Sequence, residues 1–206
     1  MKLMKSLLAA SLATAMIQPA MAYEEGDIIV RAGAATVMPS DDPGDAGGAK
    51  LEVSDNTQLG VTATYMFADD FGVEVLAATP FNHTVELEDG GDDVATASHL
   101  PPTVSLQYYT LKPMEALQPY AGIGLNYTEF FDEKNKMGLG IDELKSSFGL
   151  SVSAGLDFAI DEHLVLNAAV WYIDIDTETE SDNPDADGIE LEIDPVVWMV
   201  GAGYKF

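Results

Sequence analysis

Apolar residues alternate with small or polar residues along several stretches of this chain. From Leu59 to Phe67 the odd positions are apolar, Ala or aromatic, whereas the even positions are Gly, Thr and Met. A period of two residues places the two sets on opposite faces of a β-strand. The stretches are about 9 to 11 residues long, which is the length that a tilted strand needs to cross a bilayer. The pattern therefore predicts strands that each present one face to lipid.

The alternation divides the chain into eight predicted strands. The connections after the second, fourth and sixth strands are short, whereas the other connections are long and acidic or Gly-rich. Short turns on one rim and long loops on the other are typical of outer-membrane barrels, and lipid cannot satisfy an open strand edge. We therefore predict an all-β fold, an eight-stranded antiparallel transmembrane β-barrel with both termini periplasmic. The predicted strands cover residues 26–37, 57–67, 71–80, 101–111, 119–130, 145–158, 163–175 and 190–206.

A soluble β-sandwich or a lipocalin-like barrel would also contain alternating strands. In such a protein the apolar face would fill a core and the other face would carry charges. Here the non-apolar face consists mainly of Gly, Ser and Thr, and aromatic residues gather near the strand ends. Both features favour a membrane barrel with an aromatic girdle at each interface. The candidate girdle residues are Tyr65, Phe67, Tyr108, Tyr127, Phe158, Tyr172, Trp198, Tyr204 and Phe206.

The N-terminus has the three parts of a secretory signal. Lys2 and Lys5 precede an apolar run from Leu7 to Ile17, and the triplet 20–22 has small residues at its first and third positions. The run is shorter than the roughly 20 residues of a membrane-spanning helix. We therefore predict a signal peptide over residues 1–22, cleaved before Tyr23, and an outer-membrane β-barrel over residues 23–206.

Charge and composition exclude several classes of function. Nine Lys plus Arg oppose 35 Asp plus Glu, so the chain carries a formal net charge of −26 and we expect no nucleic-acid partner. The absence of cysteine removes disulfides and thiolate chemistry. The histidines His83, His99 and His163 show no metal-ligand spacing and no catalytic order with Ser and Asp. We therefore expect no enzyme activity, no metal site and no cofactor.

Parity along the strands indicates which side chains point into the barrel. If Glu74 faces inward, Leu76 does too, and an inward Asn167 likewise implies an inward Trp171. Leu76 and Trp171 would then form a constriction about halfway along the barrel, on the path of a ligand. Alternatively they simply fill the interior, because eight strands leave a space just wide enough for side chains.

Arg31 lies on the first predicted strand and is expected among inward polar residues. An isolated buried Arg would be costly, so an internal ion pair is predicted in the periplasmic half. Its carboxylate partner is left open, because that choice depends on the shear of the barrel. The polar residues in question are Glu74, Gln58, Gln107 and Asp157.

Most of the acidic residues fall in the long connections. Examples are Asp41, Asp42 and Asp45, then Glu86 to Asp93, then Glu178 to Asp187. Such loops serve either as a solvated, mutually repelling rim or as a binding surface. The second alternative describes a structural or adhesive barrel whose loops bind phage, bacteriocin, lipopolysaccharide or cations.

Seven sequence blocks stand in order along residues 26–206: RAGAATVMPSD, NTQLGVTATYM, GVEVLAATPFNH, HLPPTVSLQYY, PYAGIGLNYTEFFD, NAAVWYIDIDTET and DPVVWMVGAGYKF. Together they resemble the outer-membrane protein W (OmpW) family. The resemblance implies a monomeric eight-stranded barrel in the outer membrane with a narrow hydrophobic lumen, which acts as a channel or carrier for small hydrophobic molecules. Leu76 and Trp171 match the family's proposed gate. The terminal Phe206, with Tyr204 on the same face, resembles the signal that the barrel-assembly machinery reads.

Overall fold

The computed structural model describes residues 23–40, 45–46, 49–87, 93–109, 116–135, 141–183 and 187–206. The predicted signal peptide, residues 1–22, lies outside the described residues. No helix that is long and apolar enough to span a bilayer occurs in the described part of the chain. The strands are β1 Ile28–Met38, β2 Asp45–Ala46, β3 Ala49–Val53, β4 Asn56–Ala68, β5 Phe71–Ala78, β6 Phe81–Leu87, β7 Asp93–Leu100, β8 Thr103–Tyr109, β9 Leu117–Asn135, β10 Ile141–Leu144, β11 Ser147–Ala159, β12 Leu164–Ile173, β13 Asp176–Ser181, β14 Glu190–Glu192 and β15 Val196–Lys205.

Eight of these strands form a closed antiparallel barrel. Its order is β1, β4, β5, β8, β9, β11, β12 and β15, and the last strand pairs with the first. The ring is continuous because β9 pairs with β8 on one side and with β11 on the other. The predicted eight-stranded antiparallel barrel is therefore confirmed, and all eight predicted segments contain one of its strands.

The eighth predicted strand began too early. Residues 190–192 form β14, which pairs with β13 instead of continuing into the barrel. Asp194 between them has a left-handed backbone with φ of 33°, and Pro195 cannot donate to a ladder. The strand therefore breaks at these two residues, and β15 starts at Val196.

The long connections are more ordered than the sequence suggests. The strands β3, β6, β7 and the distal part of β9 pair with one another and continue the barrel wall beyond its loop rim. A separate small sheet is built from β10, β13 and β14. We call these paired segments the extension. The prediction of loops was incomplete here, because the strands are short and their apolar residues are few.

The outward face of the barrel is apolar, which decides between a membrane and a soluble protein. Ile123, Phe148 and Val200 are 66%, 70% and 65% exposed. All nine candidate girdle residues are also among the exposed large apolar side chains. Burying this surface in water-excluding lipid removes the cost of its hydration. The apolar band therefore contacts membrane lipid.

Both ends of the described chain lie at the short-turn rim. The Gly26 N–H donates to the Met66 carbonyl next to the β4–β5 turn, and the Phe206 N–H donates to the Ile28 carbonyl. This rim is the end of the barrel opposite the extension. That it faces the periplasm stays a prediction.

Candidate functional site

Arg31 is fully buried in the lumen and pairs mainly with Asp157 on β11, three strands away around the ring. Its Nε donates to Asp157 Oδ1 over 3.0 Å, and its Nη2 donates to Asp157 Oδ2 over 2.5 Å. Glu74 forms a longer ion pair with Arg31, with Oε2 3.6 Å from Nη1. The bidentate geometry gives Asp157 the stronger interaction, because two parallel charge-assisted hydrogen bonds match the guanidinium fork. The structure thus brings Arg31, Glu74 and Asp157 together.

Neutral groups occupy the remaining hydrogen-bonding capacity of the ion pair. The Arg31 guanidinium also donates to Thr64 Oγ1 at 2.8 Å and to the Tyr109 hydroxyl at 3.0 Å. The Tyr120 ring lies 5.3 Å from the guanidinium carbon, within cation–π range. On the other side, Asp157 accepts hydrogen bonds from the Tyr23 hydroxyl and the Asn167 amide, at 2.7 and 2.9 Å. A buried charge pair of this kind is tolerated only when its polar atoms are satisfied.

These residues close the lumen in its short-turn half. They come from seven of the eight barrel strands and from the segment before β1, and they meet around Arg31. We call this group the polar plug: Tyr23, Arg31, Thr64, Glu74, Gln107, Tyr109, Tyr120, Asp157 and Asn167.

Sequence reasoning missed four residues of the plug, Tyr23, Thr64, Tyr109 and Tyr120, and it wrongly placed Gln58 beside Arg31. The outward position of Tyr108 implies that Tyr109 points inward, so parity could have found it. Tyr23 carries no such signal, because it precedes the first strand. Gln58 does not join the plug, contrary to the expectation from sequence. Its amide bonds Asn56 and Thr79 near the loop rim, because parity fixes the face of a residue but not its height in the barrel.

Leu76 and Trp171 both point into the lumen, on the loop side of the polar plug. They are 5% and 0% exposed and belong to one contiguous group of buried apolar residues. Trp171 is therefore enclosed by neighbouring residues and has no solvent-accessible surface. We call the part of this group on the loop side of the plug the apolar cluster: Ala35, Val37, Leu76, Phe81, Phe130, Trp171, Ile173, Ile175, Val197 and Met199.

The barrel wall is interrupted next to Leu76. The β5–β8 ladder ends at the pair Leu76 and Thr103, and strand pairing resumes in the extension at Phe81 and His99. Within these described segments, no ladder pair joins residues 77–80 to residues 100–102. We call this interruption the ladder gap. Leu76 borders the gap on the barrel side and Phe81 borders it on the side of the extension. Both residues are members of the apolar cluster.

Prolines help to keep the ladder gap open. The Pro102 carbonyl accepts the Tyr127 N–H at 3.1 Å, so the backbone of Pro102 faces β9. Successive residues of a strand turn their backbone groups to opposite sides, so Pro101 faces the gap. Pro101 has no N–H to donate, and its carbonyl accepts the Thr103 hydroxyl at 3.2 Å. The wall therefore lacks a bridging hydrogen bond at this position.

Two histidines of the extension form a close pair above the apolar cluster. The Nε2 atoms of His83 and His99 are 3.0 Å apart, and His83 Nδ1 lies 2.6 Å from the Ser54 carbonyl oxygen. A carbonyl only accepts, so His83 carries its hydrogen on Nδ1 and its Nε2 accepts the hydrogen of His99 Nε2. Burial lowers the pKa of both side chains, that of His99 to about 3. The pair is therefore neutral and has a single arrangement of tautomers.

Three carboxylates approach one another at the base of the small sheet. Asp174, Asp176 and Asp194 each place an oxygen within 4.8 Å of the others. The Asp194 carboxylate accepts hydrogen bonds from the Tyr172 hydroxyl and the Ile175 N–H, at 2.8 and 3.1 Å. Desolvation and the two neighbouring carboxylates raise the pKa of Asp176. The hydrogen bonds to Asp194 show that this carboxylate also has a structural role in the break before β15.

Tyr204 and Phe206 lie on the lipid-facing side of the last strand. Their ring centroids are 4.8 Å apart in an edge-to-face arrangement. Both side chains are exposed at the short-turn rim. Their role as an assembly signal stays a prediction.

Comparison with known proteins gives consistent matches over the whole barrel. The profile of the OmpW family matches residues 24–206. Outer membrane protein W of Vibrio cholerae is 42% identical over 209 residues, which is 96% of each chain. Outer membrane protein W of Escherichia coli K12 is 41% identical over 213 residues, or 98% of this chain and 100% of the relative. The crystal structure of the outer membrane protein OprG from Pseudomonas aeruginosa superposes with a TM-score of 0.77 and 43% identity, covering 89% of this chain and 97% of that one.

Proposed function

This chain belongs to the OmpW family of the outer membrane, and we propose that its barrel carries small hydrophobic molecules from the loop side of the lumen sideways into the membrane. The observation that carries the proposal is the ladder gap beside Leu76. It joins an apolar interior to the lipid phase at a point where the wall has no bridging hydrogen bonds. A hydrophobic solute can therefore leave the lumen without passing through water.

The polar plug supports a sideways route over an axial one. Arg31 and Asp157 are fully buried, and they are tied to side chains from most of the barrel wall. Opening an axial path would separate this pair and expose a hydrophobic solute to two unpaired charges, which is costly in a low-dielectric interior. Moving from the apolar cluster into lipid involves no such cost.

Leu76 and Trp171 act as the gate in this proposal. Trp171 is fully buried, so the structure corresponds to a closed state in which side chains fill the path. A solute displaces them when it binds, and the displaced apolar surface then contacts the solute instead of its former neighbours. Because apolar contacts are not directional, the exchange changes the free energy little for many solute shapes. The gate therefore selects for size and hydrophobicity.

The chain has only two tryptophans, and they report the two sides of the barrel wall. Trp171 faces the lumen, whereas Trp198 is 53% exposed on the lipid face. The Trp198→Phe variant keeps the lumen reporter, and the Trp171→Phe variant keeps the lipid reporter. We would titrate bromooctane, a heavy-atom quencher, into each variant in phospholipid vesicles. We expect saturable quenching of Trp171 and quenching of Trp198 in proportion to the bromooctane dissolved in lipid.

Vesicles made with dibrominated phosphatidylcholine provide the control. Acyl-chain bromine should quench Trp198 strongly and Trp171 weakly, which verifies the two locations. Absence of saturable Trp171 quenching in a folded barrel would contradict the proposal. The interior would then be a packed core, and the acidic loops would become the remaining candidate for the working surface.

A further inference from the structure

We propose that the α-amino group of the mature chain completes the polar plug. Removal of the predicted signal peptide before Tyr23 converts the backbone nitrogen of this residue from a neutral amide into an ammonium group. The ammonium group binds the Gln118 side chain and balances the negative charge of the plug. The bond before Tyr23 is therefore a processing site whose cleavage completes the interior of the barrel.

Tyr23 is fixed inside the barrel although it precedes the first strand. Its side chain is 3% exposed, and its ring packs edge-to-face on Tyr109 with 5.2 Å between the centroids. Its hydroxyl donates to Asp157 Oδ2 over 2.7 Å. The first residues of a domain are poorly ordered unless contacts hold them in place. These contacts hold Tyr23, so its backbone nitrogen also has a defined position.

A tight turn directs Tyr23 back into the lumen. The Asp27 carboxylate accepts the Glu24 N–H at 3.0 Å, and the Asp27 N–H donates to the Glu24 carbonyl at 3.1 Å. Gly26 has a φ of 100°, a left-handed conformation that glycine adopts without a steric penalty. Asp27 Oδ2 also lies 3.4 Å from Lys205 Nζ at the end of β15. The turn is therefore connected to the last strand of the ring.

The backbone nitrogen of Tyr23 lies 3.4 Å from Gln118 Oε1. Gln118 is 6% exposed and is the ladder partner of Asp157. Directly opposite residues have Cβ atoms about 5 Å apart, so a charge at this nitrogen is placed on the Asp157 side of the plug. As part of a longer chain the nitrogen carries one hydrogen and no charge. As the first atom of the chain it is an ammonium group with three hydrogens near neutral pH.

The side chains of the polar plug include one more carboxylate than cation. Arg31 faces both Asp157 and Glu74, and all three side chains are fully buried. Lys205 at the rim is already paired with Asp27. An unbalanced charge is costly in a low-dielectric interior, and an opposite charge nearby offsets the cost. The ammonium group of Tyr23 supplies a second cation, which makes the plug neutral.

Residues added before Tyr23 remove this charge from the plug. The Tyr23 nitrogen then remains a neutral amide, and the ammonium group moves away from Gln118 to the new first residue. A hydrogen bond to a charged group is stronger than one between neutral groups. An extended chain should therefore fold to the same barrel with a less stable plug.

The chemical accessibility of the α-amine tests its position. We would isolate the barrel from cells that process the precursor and verify by mass spectrometry that it starts at Tyr23. The barrel in lipid nanodiscs is then labelled with 2-pyridinecarboxaldehyde, which reacts with N-terminal α-amines and leaves lysines unmodified. The comparison is a chain with Gly-Ser inserted before Tyr23. We expect the parent to react about tenfold more slowly, as for an amine held by one charged hydrogen bond, after correction for the rates of both chains in urea.

The Gln118→Leu substitution tests the partner of the ammonium group. It removes the acceptor at similar side-chain volume, and it should raise the unfolding equilibrium constant more in the parent than in the Gly-Ser extended chain. The expected difference is about fivefold, because the extended chain loses only a neutral hydrogen bond. Glu162→Gln, an exposed position in the β11–β12 turn, is the matched control and should have the same effect in both chains. The measurement is urea unfolding in lipid vesicles.

Three results would overturn the proposal. These are equal corrected labelling rates of the parent and the extended chain, equal effects of Gln118→Leu in the two chains, and a mature chain that begins at a residue other than Tyr23. If Gln118→Leu does not fold, the labelling rates decide alone. The carrier proposal is unaffected by each result, because uptake on the loop side of the plug does not involve the N-terminus.

Discussion

Arg31 and Asp157 are 126 positions apart in the sequence and form a bidentate ion pair inside the barrel. Neither strand neighbour of β1 carries the partner, since β1 pairs with β4 and β15 whereas Asp157 lies on β11. The pair therefore links two strands that are three places apart around the ring. Its strength and position lead to the first prediction.

The Asp157→Asn substitution should destabilise the barrel strongly. It leaves the Arg31 charge buried with only the more distant Glu74 as a counter-ion, and breaking a buried pair costs about 3 to 5 kcal/mol. Urea unfolding in lipid vesicles measures the change in the free energy of unfolding. The triple variant Arg31→Met, Glu74→Gln and Asp157→Leu removes all three side-chain charges of the plug and should recover most of the loss. Glu162→Gln, an exposed turn position, is the control, and a loss in that variant similar to Asp157→Asn would contradict the explanation.

The Trp171→Ala substitution should increase uptake without creating an ion channel. Removing the indole opens the gate, but the polar plug still closes the short-turn half of the lumen. We expect faster uptake of a hydrophobic dye into vesicles and negligible single-channel conductance in planar bilayers. Adding Arg31→Ala and Asp157→Ala to this background should produce discrete openings. Large openings in Trp171→Ala alone would show that the plug is not the seal.

The Pro101→Ala substitution should narrow the ladder gap. The new N–H faces the gap and can donate to the opposite wall, so uptake should fall severalfold. Amide hydrogen exchange near Leu76 and Thr103 should slow at the same time. Pro102→Ala is the matched control, because its backbone faces β9. A fall in uptake with Pro102→Ala but not with Pro101→Ala would place the exit elsewhere.

Acidification should loosen the β6–β7 hairpin. Burial lowers the pKa of His99 to about 3, whereas an opened hairpin exposes an imidazole with a pKa of about 6.5. The opened state therefore binds more protons than the closed state between these two pKa values. The free energy required to open the hairpin is largest above about pH 6.5 and decreases as the pH falls toward 3. For one proton the decrease is at most about 1.4 kcal/mol per pH unit.

The described neighbours of the histidine pair are mainly aromatic. Phe81 stacks on His99 and the Phe130 ring lies tilted against it, and among the described residues Asp55 raises the pKa of His83 through its charge. Hydrogen exchange of the Phe81 and His99 amides as a function of pH measures the opening. The His99→Gln variant should lose the dependence, whereas His163→Gln, at an exposed turn, should keep it. Unchanged protection down to pH 4 would refute the prediction.

The period of two residues was enough to predict the barrel and the faces of its strands. It placed Glu74, Leu76 and Trp171 inside correctly, because side-chain direction follows from parity alone. The position of a side chain along the barrel axis depends on the register between strands, and the alternation within one strand does not determine that register. For this reason the partner of Arg31 could not be chosen from sequence, and Gln58 was assigned to the wrong level.

Other features depended on interactions that no local pattern records. The extension strands have few apolar residues, and their pairing depends on partners far away in the chain, as for β7 with β9. The break before β15 depends on the left-handed backbone of Asp194.

The polar plug has a consequence for the assembly of the barrel. Its members come from seven strands, and Arg31 lies on the strand that must pair with the last one to close the ring. An incomplete barrel cannot hold Arg31 and its partners out of water in the same arrangement. The contacts of the plug therefore form only when the ring closes, so they stabilise the finished barrel and contribute little to partly formed barrels. Completion of the barrel is therefore a cooperative step, stabilised in part by the ion pair that Arg31 forms with Asp157 only in the closed ring.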